Sequence, residues 1–220
     1  MSSADGIVFL IGCLVLIVSS SSIGVRSQEF TRPDFQPKNA AFSIWGIIFT
    51  LSIVSGVRLF FVESSLPSSI LFALACVSSS LWLTVQNQKF AFLLLYAGAI
   101  LSFVSSCLQK DFVASLAPSV LTGWLCIASA IGTAIYYHAV NDGKEANKYA
   151  VTLPFAFLLV LASSTVSILG NKYACLSVAF PLFWTAIFST SLENATIFFA
   201  PFLTCVAFFL GTLLKCNITR

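Results

Sequence analysis

Side chains able to do acid–base chemistry are few in this sequence, and their spacing indicates no catalytic site. The 220 residues include eight Asp and Glu, eleven Lys and Arg, and a single histidine, His138. His138 follows Tyr136 and Tyr137 at the end of an apolar stretch, which favours an interfacial position over a role as base or metal ligand. The sequence also lacks a catalytic triad, a phosphate loop and a dinucleotide fingerprint. We therefore expect a protein that is not an enzyme.

The cysteines are the other residues with reactive side chains. Their spacing includes no C-x-x-C pair, and all but the last lie within apolar stretches: Cys13, Cys76, Cys107, Cys126, Cys175, Cys205 and Cys216. This pattern favours small apolar fillers over a disulfide framework or a metal site.

Composition assigns the chain to a lipid bilayer. Hydrophobic residues make up 58% of the sequence and charged residues 9%, with a mean hydropathy of +0.97, whereas charged residues are about 25% of a soluble domain. The charges fall between apolar stretches or at their edges, because a charge at the bilayer centre costs at least about 2.5 kcal/mol. The net charge of +3 is scattered, so a nucleic-acid partner is not expected. The sequence predicts an integral, multi-pass membrane protein, without indicating which membrane.

Eight stretches approach the length of about 20 residues that a spanning helix needs. The first is interpreted as a retained transmembrane helix and not as a secretory signal, because no basic residue precedes it. We expect an all-α, polytopic membrane bundle with both termini on one side, and with spanning helices near residues 6–25, 41–62, 67–86, 90–108, 117–138, 149–169, 173–190 and 195–214.

The polar segment N-D-G-K-E-A-N-K at residues 141–148 divides the chain. It predicts a five-helix unit at residues 1–140 and a three-helix C-terminal extension at residues 141–220. Lys and Arg are almost evenly divided between the two sets of loops, so the positive-inside rule gives no orientation. The glycosylation sequons beginning at Asn194 and Asn217 fall on opposite sides of this arrangement and do not settle the orientation either.

The four tryptophans allow two interpretations, a belt at the membrane interface or the wall of a pocket for a flat apolar ligand. Trp45 and Trp82 each lie about 6 Å from the same face, at 1.5 Å of rise per residue, and Trp184 lies at a similar depth. Trp124 is deeper and follows Gly123, whose missing side chain permits close helix approach. Both interpretations stay open at this point.

Two motifs and one tryptophan resemble a known family. Pro33-Asp-Phe-Gln-Pro37 is followed by Ala41-Phe-Ser-Ile-Trp45-Gly-Ile-Ile-Phe49, Trp82 precedes a short polar turn, and Gly123-Trp124 lies in the stretch that runs from Pro118 to Ala128. Over about residues 6–140 the chain resembles the tryptophan-rich sensory protein and translocator protein family, and most of all its longer microbial-type members.

The resemblance implies a five-helix core whose first long loop, residues 26–40, folds over a pocket for porphyrins, sterols or similar flat apolar molecules. Carried over residue by residue, the ligand-binding candidates are Pro37, Phe42, Trp45, Trp82, Trp124 and Ala128. The chain departs from the family pattern at Phe35, where a Trp is frequent, and at Ser79, where an Asn is frequent. Each change removes or shrinks a polar anchor.

The expected function is therefore non-covalent binding or translocation of a flat hydrophobic ligand, with a bound porphyrin or other tetrapyrrole as the candidate cofactor. Expected partners are membrane lipid, the hydrophobic small molecule, and either a second copy, as in family homodimers, or other membrane proteins. One alternative is an accessory subunit of a larger membrane complex without ligand chemistry of its own. Another is oxidative or photochemical breakdown of a bound tetrapyrrole, for which the sequence offers no dedicated catalytic group.

Overall fold

A computed structural model describes residues 3–23, 33–62, 65–85, 88–141 and 144–218, and within these ranges the regular structure is helical. A short 3₁₀ helix, Asn39–Ser43, precedes the second α-helix. The α-helices are α1 (Ser3–Ile23), α2 (Ile44–Arg58), α3 (Leu66–Thr84), α4 (Gln88–Leu108), α5 (Phe112–Val140), α6 (Lys148–Leu169), α7 (Ala174–Ile187) and α8 (Leu192–Ile218). The expected all-α, multi-pass architecture is confirmed.

Two elements are shorter than the sequence predicts. Seven of the described helical segments are long and apolar enough to cross a membrane, whereas α7 has only 14 residues. At about 1.5 Å per residue α7 is about 21 Å long. The predicted second span at residues 41–62 is likewise divided, because the 3₁₀ helix occupies its start and α2 ends at Arg58. Hydropathy alone does not reveal the end of α2, since residues 59–62 beyond it remain apolar.

The first five helices form a closed ring in the order α1, α2, α5, α4, α3, with each helix packed against its two neighbours. Small residues set the spacing within the ring. A Cβ on Gly12 of α1 would lie 2.5 Å from the Cα of Ala73 on α3. Beside this contact the rings of Phe9 and Phe72 stack with their centroids 3.9 Å apart. Large apolar side chains, including Trp124, fill the interior of the ring.

Hydroxyl side chains connect the helices of the ring where the sequence offers no charge. Ser68 of α3 and Ser105 of α4 each donate to the other's backbone carbonyl at 2.9 Å. Further along α4, Ser106 lies with its hydroxyl 2.5 Å from that of Ser119 on α5. Interhelical hydrogen bonds of this kind stabilise membrane bundles, in which a polar group without a partner is costly.

The last three helices pack against the ring mainly through α5, with α6 also contacting α4. The closest approach is at Gly123, where a Cβ would lie 2.1 Å from the backbone oxygen of Val178 on α7. Helix α5 therefore has the ring on one side and α7 on the other, and its middle residues are buried. The predicted boundary coincides with the end of α5 at Val140, but the division into two units stays a prediction.

Candidate functional site

Three of the predicted ligand-binding residues form one aromatic cluster, which we call the Trp124 cluster: Phe42, Trp45 and Trp124. Phe42 lies on the 3₁₀ helix and Trp45 in the first turn of α2. Both meet the Trp124 ring edge-on, with centroid distances of 5.7 Å and 6.3 Å. Trp124 is only 1% exposed. The cluster is thus a packed core, with edge-to-face contacts of a common and favourable kind.

The other three candidates lie around this core. Ala128 and Trp82 are partly buried and pack against the same apolar core that contains Trp124. Pro37 is buried immediately before the 3₁₀ helix. In the described part of the chain, the ring contacts of the Trp124 cluster do not extend to Trp82. The structure therefore unites Phe42, Trp45 and Trp124 and leaves Trp82 apart from them.

Trp184 belongs beside the cluster, although sequence reasoning left it outside the site. Its indole N–H donates to the backbone oxygen of Ala41 at 2.9 Å, and its ring lies 5.8 Å from that of Phe180. The depth estimate placed Trp184 level with Trp45 and Trp82. That shared depth is the signal that identifies it, provided that α7 is known to approach the 3₁₀ helix that contains Ala41.

The segment just before α2, residues 33–41, is here called the cap segment. The resemblance predicts that the loop at residues 26–40, to which most of this segment belongs, folds over the pocket that includes Trp45 and Trp82. The structure instead buries Phe35, 2% exposed, in a second apolar cluster formed by α5 through α8, with members such as Leu182 and Phe198. Residues 26–32 of the predicted loop lie outside the described ranges. The described part of the cap is thus anchored on the C-terminal helices.

A cavity of about 290 Å³ with a mixed polar and apolar lining lies beside the cap segment. Its wall combines the buried Phe35 with residues at the end of α5 and the start of α6, among them His138, Glu145 and Lys148. Lys148 is already paired with Glu193 of α8, with 2.6 Å between nitrogen and oxygen. His138 therefore lies at a polar end of the bundle, away from the Trp124 cluster.

A second, larger cavity is an open groove of about 700 Å³ between the ring and the C-terminal helices. Helices α2 and α5 form one wall and α7 with α8 the other, and the lining is almost entirely apolar. The lining residues are Ile47, Leu51, Phe112, Leu116, Val120, Tyr173, Leu176, Ser177, Phe180 and Phe209. The Tyr173 ring contacts Phe112 and Phe209 edge-on at 6.2 and 6.1 Å, at the end of the groove nearest Arg58. None of the six predicted ligand-binding residues lines this groove.

The described residues contain no group of three or more His, Cys, Asp or Glu side chains placed to hold a metal ion. Their cysteines are free thiols, mostly buried. Charged side chains pair at the ends of the helices, as Arg58 does with Asp111 at 3.0 Å. The interior thus offers apolar burial and hydroxyl groups to a ligand.

A closed ring of five apolar helices with an aromatic cluster at the entry to α2 defines an integral, multi-pass membrane protein. The chain matches the family model described as TSPO-like protein over residues 6–216, and it belongs to that family. The match extends beyond residue 140, so it includes α6, α7 and most of α8. No curated protein and no solved structure matches the chain.

Proposed function

We propose that this protein binds a flat apolar molecule dissolved in the membrane, without covalent chemistry, in the groove between the ring and the C-terminal helices. The observation that supports this proposal is the groove itself, about 700 Å³ with an almost entirely apolar lining. Its volume lies within the range of about 300–1,000 Å³ of small-molecule sites. Burial of apolar surface at about 25 cal/mol per Å² supplies affinity without an ion pair.

The lining favours a sterol-like ligand over a tetrapyrrole. The residues of the groove wall include no Lys or Arg, and their polar side-chain groups are the hydroxyls of Tyr173 and Ser177. A ligand with a rigid apolar body and little polar surface matches this almost entirely apolar lining. The two carboxylates of protoporphyrin would be desolvated there without a cationic partner, which is costly.

The Trp124 cluster is the competing location for the ligand. It contains three of the residues carried over from the family resemblance, but Trp124 is buried and already contacts the rings of Phe42 and Trp45. A ligand can enter there only after Phe42 or Trp45 moves. The groove needs no such rearrangement, and we therefore place the ligand in it.

Binding of radiolabelled cholesterol to the purified protein tests the proposal. Ser177→Phe places a ring inside the groove and should weaken binding at least tenfold. The control Leu203→Phe adds a similar side chain on the exposed face of α8, where Leu203 is 49% exposed, and should leave binding unchanged. Trp45→Ala should also change cholesterol binding less than threefold, because Trp45 does not line the groove.

A second probe separates the alternatives. If protoporphyrin binds, and Trp45→Ala or Trp124→Ala weakens it while Ser177→Phe does not, the ligand occupies the Trp124 cluster and the groove assignment is wrong. His138→Ala should leave the binding of either probe unchanged. If neither probe binds and a fixed set of other membrane proteins purifies with the chain, the accessory-subunit alternative replaces ligand binding.

A further inference from the structure

The turn between α7 and α8 is fastened to the cap segment by a set of hydrogen bonds. The Lys38 N–H donates to the backbone oxygen of Phe188 at 2.8 Å. In the opposite direction, the Thr190 hydroxyl and the Asn194 side-chain amide both donate to the backbone oxygen of Asp34, at 3.2 and 2.8 Å. The bond from Trp184 to the Ala41 oxygen extends the same contact toward α2.

Asn194 is central to this contact. Its side chain is buried, with 4% of the residue exposed, although Asn194 lies in the first turn of α8. Its amide nitrogen donates to Asp34 and also to the Thr190 hydroxyl at 3.0 Å. Thr196, the other functional residue of the Asn194 sequon, donates instead to Glu193 of its own helix. Of the two sequon residues, Asn194 thus hydrogen-bonds to the cap segment, whereas the hydroxyl of Thr196 bonds within α8.

The cap segment is directly connected to the Trp124 cluster through adjacent residues of the chain. Ala41, which accepts the Trp184 hydrogen bond, directly precedes Phe42, which packs edge-on against Trp124. At the other end of the segment, Phe35 is buried among side chains of the C-terminal helices. The segment cannot lift away from the bundle without breaking its contacts with α7 and α8, and lifting it would draw Phe42 from Trp124.

We propose that the α7–α8 turn is an intramolecular latch that holds the cap segment against the bundle, and that releasing it exposes the Trp124 cluster. The C-terminal helices then control access to the aromatic residues of the five-helix ring. This role is independent of where a ligand binds, because it concerns the exchange between a closed and an opened cap.

Hydrogen–deuterium exchange of the full-length protein in detergent, followed by mass spectrometry, tests the latch. Asn194→Leu keeps a similar side-chain volume but removes both donated hydrogen bonds. It should accelerate exchange of peptides covering residues 34–43 at least tenfold, with the peptides of α3 unchanged. Thr196→Ala is the matched control, because it also abolishes the sequon but retains Asn194, and its exchange should equal that of wild type.

Thr190→Val provides a second measurement that does not depend on replacing a buried amide. It removes one bond to Asp34 and the hydroxyl that accepts from Asn194, but it keeps the Asn194 bond to Asp34. It should therefore accelerate exchange of the same peptides by a smaller factor. Selective acceleration in Asn194→Leu and Thr190→Val, but not in Thr196→Ala, supports the latch. Wild-type exchange in both latch variants overturns it. If Asn194→Leu fails to fold, Thr190→Val decides by the same criterion.

Discussion

Gly123 is the residue on which the packing of α5 against α7 depends. An added Cβ would lie 2.1 Å from the Val178 oxygen and 3.0 Å from two ring carbons of Pro181, and backbone on the opposing helix cannot yield as a flexible side chain does. We expect Gly123→Ala to destabilise the protein by about 1–3 kcal/mol, the usual cost of overpacking. Thermal unfolding in detergent measures the change.

Gly211 supplies the matched control for that substitution. It lies on α8, and a Cβ there meets nothing within 4 Å. Gly211→Ala should therefore be neutral or stabilise the helix by up to about 1 kcal/mol, since alanine is the better helix former. Equal effects of the two substitutions would show that α7 does not approach α5 as closely as the structure indicates.

Asp111 caps the start of α5 and also forms an ion pair with Arg58 at the same end of the bundle. Its carboxylate accepts the Ala114 N–H at 3.0 Å and lies 3.0 Å from the Arg58 guanidinium. Burial acts to raise the pKa of Asp111, but the hydrogen bonds from Arg58 and Ala114 and the Arg58 charge outweigh it, so the pKa is lowered. A lowered pKa means that the folded state binds the proton less tightly than the unfolded chain, so Asp111 stabilises the fold while ionised.

The pH dependence of stability tests this role of Asp111. Asp111→Asn keeps a capping side chain and removes the charge, so the variant should be less stable than wild type near pH 7. That deficit should shrink as the pH falls below the ordinary aspartate value of about 4 toward the lowered pKa. Asp111→Ala should cost about 1 kcal/mol more than Asp111→Asn, because it also removes the cap. A deficit independent of pH would exclude the ion pair as its cause.

At the scale of elements, apolar length predicts the number and order of the helices but not all of their ends. The short polar turn after Trp82 predicts an antiparallel hairpin of α3 and α4, because so few residues cannot span a longer connection, and the two helices do pack together. The 3₁₀ start before α2 and the early end of α7 depend on contacts between them, such as that of Lys38 with Phe188. Those partners are 150 positions apart, and no local pattern relates them.

The candidate site shows the same limit. The proximity of Phe42, Trp45 and Trp124 could be predicted, because the family resemblance assigns all three residues to one pocket. The groove could not, because its two walls come from helices whose adjacency the sequence does not encode locally. Phe35 is the clearest case, since the resemblance places it over the ring whereas tertiary packing buries it among α5, α7 and α8.

At the scale of the whole molecule, the C-terminal helices cover one side of the five-helix ring, which would otherwise face lipid. They bury the face of α5 opposite the ring interior, create the groove beside α2, and hold the cap segment at one end. The groove extends to Phe112 and Tyr173, near the end that carries Arg58, whereas the α7–α8 turn lies at the other end. The proposed ligand site and the proposed latch thus involve different parts of the molecule.

The arrangement requires that the short helix α7 connects opposite sides of the membrane. Its first end lies near Asn171, which donates to the Lys110 oxygen between α4 and α5, and its other end lies at Phe188, beside the cap segment. About 21 Å of helix is less than the hydrocarbon thickness of about 30 Å, so flanking turns must complete the crossing. The alternative is that α7 belongs to a re-entrant hairpin, which enters the membrane and returns to the side from which it started.

Cysteine labelling with a membrane-impermeant maleimide, on a background with the native cysteines replaced, distinguishes these two topologies. Lys172→Cys before α7 and Leu192→Cys after it should label from opposite sides of sealed vesicles, and Leu192→Cys from the same side as Lys38→Cys. The three positions are exposed, so packing against the rest of the protein would not explain a missing signal. Labelling of Lys172→Cys and Leu192→Cys from one side would make α7 re-entrant, and the cap segment could then not meet the α7–α8 turn.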